Sequence, residues 1–166
     1  MLYVTEDGFD RYDMVNNRKS EDGAAFTIWF SGCSLKCPGC HNVQLWDRAG
    51  SLSFTPKEIV EIINDSKVEY KDIILLGGEP MEQDLIDLKE LCTLLHESGK
   101  KIWLYTGRDL MEIPYPILRL LYFVKYGAFD QNKLTGGFPS SSNQKVMIRT
   151  DSGLIDITEE GIKHEN

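Results

Sequence analysis

The chain has 166 residues, 42% apolar and 27% charged, with 18 Lys and Arg against 26 Asp and Glu and a net charge of −8. That length suits one domain able to bury a sizeable core, taken as 1–166 with its centre at about 24–150. The acidic balance argues against sequence-independent nucleic-acid binding and against an anionic membrane surface, since both need clustered Lys and Arg.

The opening run MLYVTEDGFDRYD has acidic residues where a secretory signal needs a basic stretch followed by an apolar one. No segment approaches the length of a membrane-spanning helix, so the expected compartment is the cytoplasm. Four cysteines in a reducing compartment favour metal or redox chemistry over disulfides.

In chain order, residues 1–22 read as polar and irregular, ending in NNRKSEDG. Ala24 to Phe30 (AAFTIWF) reads as a buried strand. The run GCSLKCPGCHN follows directly, and residues 41–54 read as a connection without strong periodicity. Thr55-Pro56-Lys57-Glu58 predicts a helix start, with Thr55 as N-cap, Pro56 at the first helical position and Glu58 closing a capping box. Ile59, Ile62 and Ile63 give that helix its apolar face.

Asp72 to Leu76 reads as a second buried strand, ended by Gly77-Gly78-Glu79-Pro80. Asp84 to Glu97 reads as a helix, with Leu85, Leu88, Leu91, Cys92 and Leu95 at helical spacing and Gly99 at the C-terminal cap. Lys101 to Tyr105 is a third strand, ended by Thr106-Gly107-Arg108. A short helix through Ile117 to Leu121 leads to a fourth strand, Tyr122 to Lys125, and then to Tyr126-Gly127-Ala128-Phe129-Asp130. Gln131 to Ser142 is a loop. Lys145 to Arg149 and Leu154 to Thr158 form a hairpin around Asp151-Ser152-Gly153.

Strands alternating with helices predict an α/β fold with a mostly parallel sheet and right-handed crossovers. Ligand sites in such sheets lie on the loops at the C-terminal strand ends. Here polar or glycine-rich motifs follow strand after strand: the cysteines, GGEP, YTGR and YGAF. A parallel sheet puts these four loops on one face, where they can build one pocket.

Cys33, Cys37 and Cys40 have the spacing C-x3-C-x2-C, which gathers three thiolates and supplies no fourth. A closed structural zinc site wants four ligands, which His41 or a distant residue would have to complete. His41 adjoins Cys40, so simultaneous ligation is awkward. A cubane iron–sulfur cluster held by three thiolates keeps one iron open. Cys92 sits on an apolar helix face and reads as a core residue. Trp29, Trp46 and Trp103 read as packing in or near the core, and His96 and His164 as solvated. In GGEP, the glycines allow close backbone approach to a ligand, and Glu79 offers charge or a helix-start interaction; a tight turn with nothing bound fits the same residues.

The trio of cysteines after a first strand, followed by GGE after the next, resembles the radical S-adenosylmethionine superfamily. The flanks Ser31-Gly32-Cys33 and Cys37-Pro38-Gly39-Cys40-His41-Asn42 look like those of the anaerobic ribonucleoside-triphosphate reductase activating proteins. So do Gly77-Gly78-Glu79-Pro80, Tyr105-Thr106-Gly107, Gly127-Ala128-Phe129 and Ser141-Ser142-Asn143-Gln144-Lys145. The resemblance runs from about Phe26 to Lys145. The family's usual Asp-Gly after the fourth strand is Tyr126-Gly127 here, and its usual Arg-Gly ahead of SSNQ is Pro139-Ser140. Both departures fall in loops expected to face the partner.

The resemblance implies a small, incomplete TIM-like βα barrel, with the irregular N-terminal segment and the C-terminal hairpin outside its centre. It implies a 4Fe–4S cluster on Cys33, Cys37 and Cys40, with S-adenosylmethionine on the fourth iron. Gly77, Gly78 and Glu79 would line the methionine part. The backbone of Gly39, Cys40 and His41, with Tyr105 and Thr106, would contact the adenosyl part. The implied partners are a flavodoxin-like reductant and the reductase, which receives a glycyl radical. Alternatives are another glycyl-radical partner, a small-molecule substrate or a zinc-binding module.

Overall fold

Leu2–Asp13 forms a twelve-residue strand, β1, where the sequence suggested an irregular segment. The structure, a computed structural model, describes residues 1–13 and 24–159. The stretch NNRKSEDG and His164 lie outside the described residues. Strand β1 escapes a periodicity reading because of a bulge. Its pairing with β2 (Ala24–Phe30) shifts register between Val4 and Phe9, and Asp7 takes a φ of +57° there. Leu2 and Val4 face the core before the bulge, whereas Phe9 packs on Phe26 and Phe54 after it. The inward residues thus change parity, and an alternation of period two disappears.

The connection that follows the cysteines also holds a short strand, β3 (Leu52–Phe54), antiparallel to β1. Helix α1 (Pro56–Asn64) has the predicted N-cap and Pro56 at its start, with the Thr55 hydroxyl accepting from the Glu58 N–H at 3.2 Å. Then come β4 (Asp72–Gly77), α2 (Leu85–Glu97) and β5 (Lys101–Tyr105). The Asp84 carboxylate caps α2 by accepting from Ile86 and Asp87. Helix α3 covers Tyr115–Leu118, earlier than the Ile117 to Leu121 expected; tighter i to i+3 bonds carry the turn on to Leu121. Strands β6 (Phe123–Tyr126), β7 (Lys145–Thr150) and β8 (Gly153–Asp156) complete the sheet, and the last two form the predicted hairpin.

The strand order is β3-β1-β2-β4-β5-β6-β7-β8. The ladders β2–β4, β4–β5 and β5–β6 are parallel; the four outer ladders are antiparallel. The expectation of a mostly parallel sheet therefore holds only for its centre. The first and last strands enter by direct antiparallel pairing, which needs no helical crossover.

Alternate residues of the central strands serve opposite faces. Ile73, Leu75, Ile102, Leu104 and Val124 pack with Ile59, Ile63, Leu88, Leu91 and Cys92 of the helices. Ile74, Trp103, Phe123, Val146 and Ile157 form a smaller cluster on the other face. There Trp103 stacks on Phe123 at 4.1 Å and donates its indole N–H to the buried Asp72 carboxylate at 2.8 Å. Trp29 and Trp46 are partly buried and His96 is exposed, while Cys92 lies wholly in the helix-side core. Among the described residues, no helix is long and apolar enough to cross a membrane.

Candidate functional site

The four parallel strands deliver their following loops to one end of the sheet. An open cavity of about 160 Å³ lies there, lined by Cys33, Cys37 and Cys40 and by Gly77, Gly78 and Glu79. Tyr105, Thr106, Gly107, Lys125, Gly127 and Gln144 complete most of its wall. Gly39 and His41, expected at the adenosyl part, are not among the lining residues. Gly39, at φ +75°, turns against Gln131, and the exposed His41 ring meets Phe129 edge-on at 5.6 Å. Asn42 lines the wall instead.

Backbone contact sets the cysteine loop against the GGEP loop. Gly78 N–H donates to Phe30 O at 2.8 Å, and Glu79 N–H to Gly32 O at 2.8 Å. Gly32 N–H donates to Leu45 O at 2.7 Å, and Cys33 N–H to Trp46 O at 3.1 Å. A Cβ on Gly78 would sit 2.6 Å from Gly32 O and 2.9 Å from Leu45 O, so only glycine lets the two loops lie this close. The Cys40 sulfur accepts from Asn42 N–H at 3.3 Å.

Side chains add a second tie. The Glu82 carboxylate accepts from Ser34 N–H at 2.9 Å and pairs with Arg108 at 3.1 Å, and Arg108 also reaches the Ser34 hydroxyl at 3.3 Å. Three loops meet in this clamp. Glu82→Ala is expected to loosen the cysteine loop and speed loss of bound iron several-fold, measured as iron retained over time under an anaerobic chelator challenge. Unchanged retention would deny the clamp that role.

Glu79 is almost wholly buried. Its carboxylate accepts from the Thr106 hydroxyl at 2.7 Å, Gly107 N–H at 2.7 Å and Met81 N–H at 2.9 Å. Burial pushes its pKa above the ordinary carboxylate range, against the pull of those three donors and of Arg108. Its side chain therefore bonds the loops after β4 and β5 together. Burial also pushes the Cys33 thiol up, the N–H groups of Leu35 and Lys36 pull it back, and the nearby Glu79 and Glu82 carboxylates add to the rise.

The SSNQ turn supports the opposite wall. Ser141 N–H donates to the Gln144 side-chain oxygen at 3.1 Å, while the Gln144 amide donates to Gly127 O at 3.1 Å. Asn143 donates to Ala128 O at 2.8 Å, and the Ser141 hydroxyl accepts from Asp130 N–H at 3.2 Å. These residues hold the loop after β6 in place.

The sequence reading missed Lys125 and the Glu82–Arg108 pair. A lysine closing an apolar parallel strand stands where ligand-facing residues gather, and that was the available signal.

The cavity's donor set suits a thiolate-held cluster. Three half-buried thiols share one wall. Among the described residues, no three His, Cys, Asp or Glu side chains converge as ligands of one metal ion would. Soft thiolates are the donors that an iron–sulfur cluster takes from protein.

The profile of the 4Fe-4S single cluster domain family matches residues 21–147. An anaerobic ribonucleoside-triphosphate reductase-activating protein from Salmonella typhi is 34% identical over 145 residues, covering 81% of this chain and 92% of that protein. The protein of the same name from Escherichia coli strain K12 is 33% identical over 61% of this chain and 67% of its own length. That of Enterobacteria phage T4 is 27% identical over 84% and 90%. In fold, the chain is similar to the crystal structure of QueE from Escherichia coli, with a TM-score of 0.52 and 14% identity over 75% of this chain and 70% of that one.

Proposed function

This chain belongs to the family of anaerobic ribonucleoside-triphosphate reductase-activating proteins, and from that premise we propose that it generates a glycyl radical on such a reductase. It is an oxidoreductase of the radical S-adenosylmethionine class, and its cofactors are a 4Fe–4S cluster and S-adenosylmethionine. The meeting of the cysteine loop with Gly77 and Gly78 across one cavity is the observation that carries the reading.

Cys33, Cys37 and Cys40 would hold three irons of the cluster, which would leave the fourth for S-adenosylmethionine. Gly77 and Gly78 admit the methionine part against bare backbone. Glu79 keeps Thr106 and Gly107 in position beside it. Tyr105, Thr106 and the Cys40 to Asn42 turn face the adenosyl part, with His41 and Gly39 acting through the turn's backbone. When bound, the cluster and S-adenosylmethionine would supply the one-electron reduction and the hydrogen-atom abstraction that forming a glycyl radical on the reductase requires. The protein orients these groups and excludes water.

The electron comes from a flavodoxin-like reductant, and the protein works in the cytoplasm without nucleic acid or membrane. Residues 1–166 act as one radical S-adenosylmethionine domain. Its architecture is that of a small, incomplete βα barrel, supported by the four adjacent parallel strands and the likeness to QueE. A complete barrel needs about 250 residues. An open mouth suits a substrate that is a glycine loop of another protein.

The test is anaerobic. Reconstituted protein with dithionite and S-adenosylmethionine should release 5′-deoxyadenosine, with more released when the reductase is present. Stoichiometric zinc and no iron in an anaerobic preparation would sink the cluster assignment.

A further inference from the structure

One charged side chain in the cavity wall lacks a counter-charge in contact with it. Lys125 is the penultimate residue of β6, opposite Tyr105 on β5 and Val146 on β7. It shares a sheet face with Phe123, away from the helices, and lines the cavity with Cys33, Gly77, Gly78 and Gln144. Its ammonium lies 5.0 Å from the Tyr105 ring centre and 5.6 Å from that of Phe138. Among the described residues no oxygen takes a hydrogen bond or ion pair from it.

Glu79 is the other formally charged carboxylate or amine of the wall, and its oxygens already accept from Thr106, Gly107 and Met81. Glu79 acts on Lys125 through charge alone. Burial pulls the Lys125 pKa down to about 8, and the Glu79 charge offsets only part of that. An ammonium held in such a wall is stabilised by an anion entering the cavity. S-adenosylmethionine carries one anionic group, the carboxylate of its amino-acid end; its sulfonium and amino groups are cationic.

We propose that Lys125 binds the carboxylate of S-adenosylmethionine and so sets the orientation of its amino-acid end beside the cysteine loop. This inference rests on the function proposed above. The aromatic rings of Tyr105 and Phe138 hold the ammonium in the wall until the carboxylate arrives.

The test compares two probes on anaerobically reconstituted protein by equilibrium dialysis: S-adenosylmethionine and its decarboxylated analogue. The unaltered protein should bind the first more tightly. Lys125→Met should weaken S-adenosylmethionine binding about tenfold to a hundredfold, the loss expected of one charge-assisted hydrogen bond, and leave the analogue unchanged. Lys125→Arg, which keeps the charge, should retain the discrimination. Equal weakening of both probes, or of neither, overturns the role of Lys125 while the parent reading stands. Iron lost from Lys125→Met but kept by Lys125→Arg means that the charge serves the cluster, and overturns it too. If the unaltered, iron-loaded protein binds no S-adenosylmethionine, both proposals fall.

Discussion

Cys37→Ala is expected to lower the iron content of anaerobically reconstituted protein from about four per chain to near zero. Cys33→Ala and Cys40→Ala should do the same, because each thiolate is the sole protein ligand proposed for its iron. Cys92→Ala is the matched control. Its thiol is wholly buried in the helix-side core, and burial pushes its pKa up to about 12, so it stays protonated and takes no part in ligation. Removing it leaves a small cavity and costs about 1 to 3 kcal/mol of stability, read by denaturant unfolding, with full iron loading. Iron lost from the Cys92 variant and kept in the Cys37 variant would exchange the two assignments.

The second large effect is expected from Gly78→Ala. The added methyl would meet Gly32 O at 2.6 Å and Leu45 O at 2.9 Å, and both are backbone atoms held by other bonds. No side chain can swing aside, so the GGEP loop or the cysteine loop must shift. Overpacking of this kind costs about 1 to 3 kcal/mol. The larger consequence is for binding, since the displaced groups are those facing the ligand. We expect S-adenosylmethionine affinity to fall by more than about tenfold, the scale set by losing one good hydrogen bond or close contact. Gly50→Ala is the comparison: nothing lies within 4 Å of its added methyl, although its φ of +77° makes the change mildly strained. It should lose about 1 kcal/mol of stability and no affinity. Equal affinities for the two variants would mean that the close approach at Gly78 has no bearing on the ligand.

The central strands and their loops were legible because each strand is a short apolar run ended by glycine or a polar motif, and a parallel arrangement then forces the loops together. That reasoning placed Cys33, Gly78 and Thr106 in one neighbourhood before any coordinates. Strand β1 was not legible, since the bulge around Asp7 reverses the inward parity between Val4 and Phe9. Strand β3 has three residues and depends on β1 for its partner, so it has no signal of its own. The antiparallel edges followed from those omissions. Lys125 was hidden as the one polar member of an apolar strand. Glu82 and Arg108 are ordinary surface charges in the sequence, and only the fold brings them to Ser34. The GGEP glutamate was read as offering charge or a helix-start interaction; it lines the cavity, and its carboxylate caps the turn that follows at Met81 N–H while also accepting from Thr106 and Gly107.

The most direct measurement is electron paramagnetic resonance of the anaerobic reductase after incubation with this protein, S-adenosylmethionine and a low-potential reductant. The account predicts a glycyl-radical signal that requires all three and vanishes with the Cys37→Ala variant. Iron-loaded protein that releases 5′-deoxyadenosine and yet leaves the reductase without that signal would contradict it.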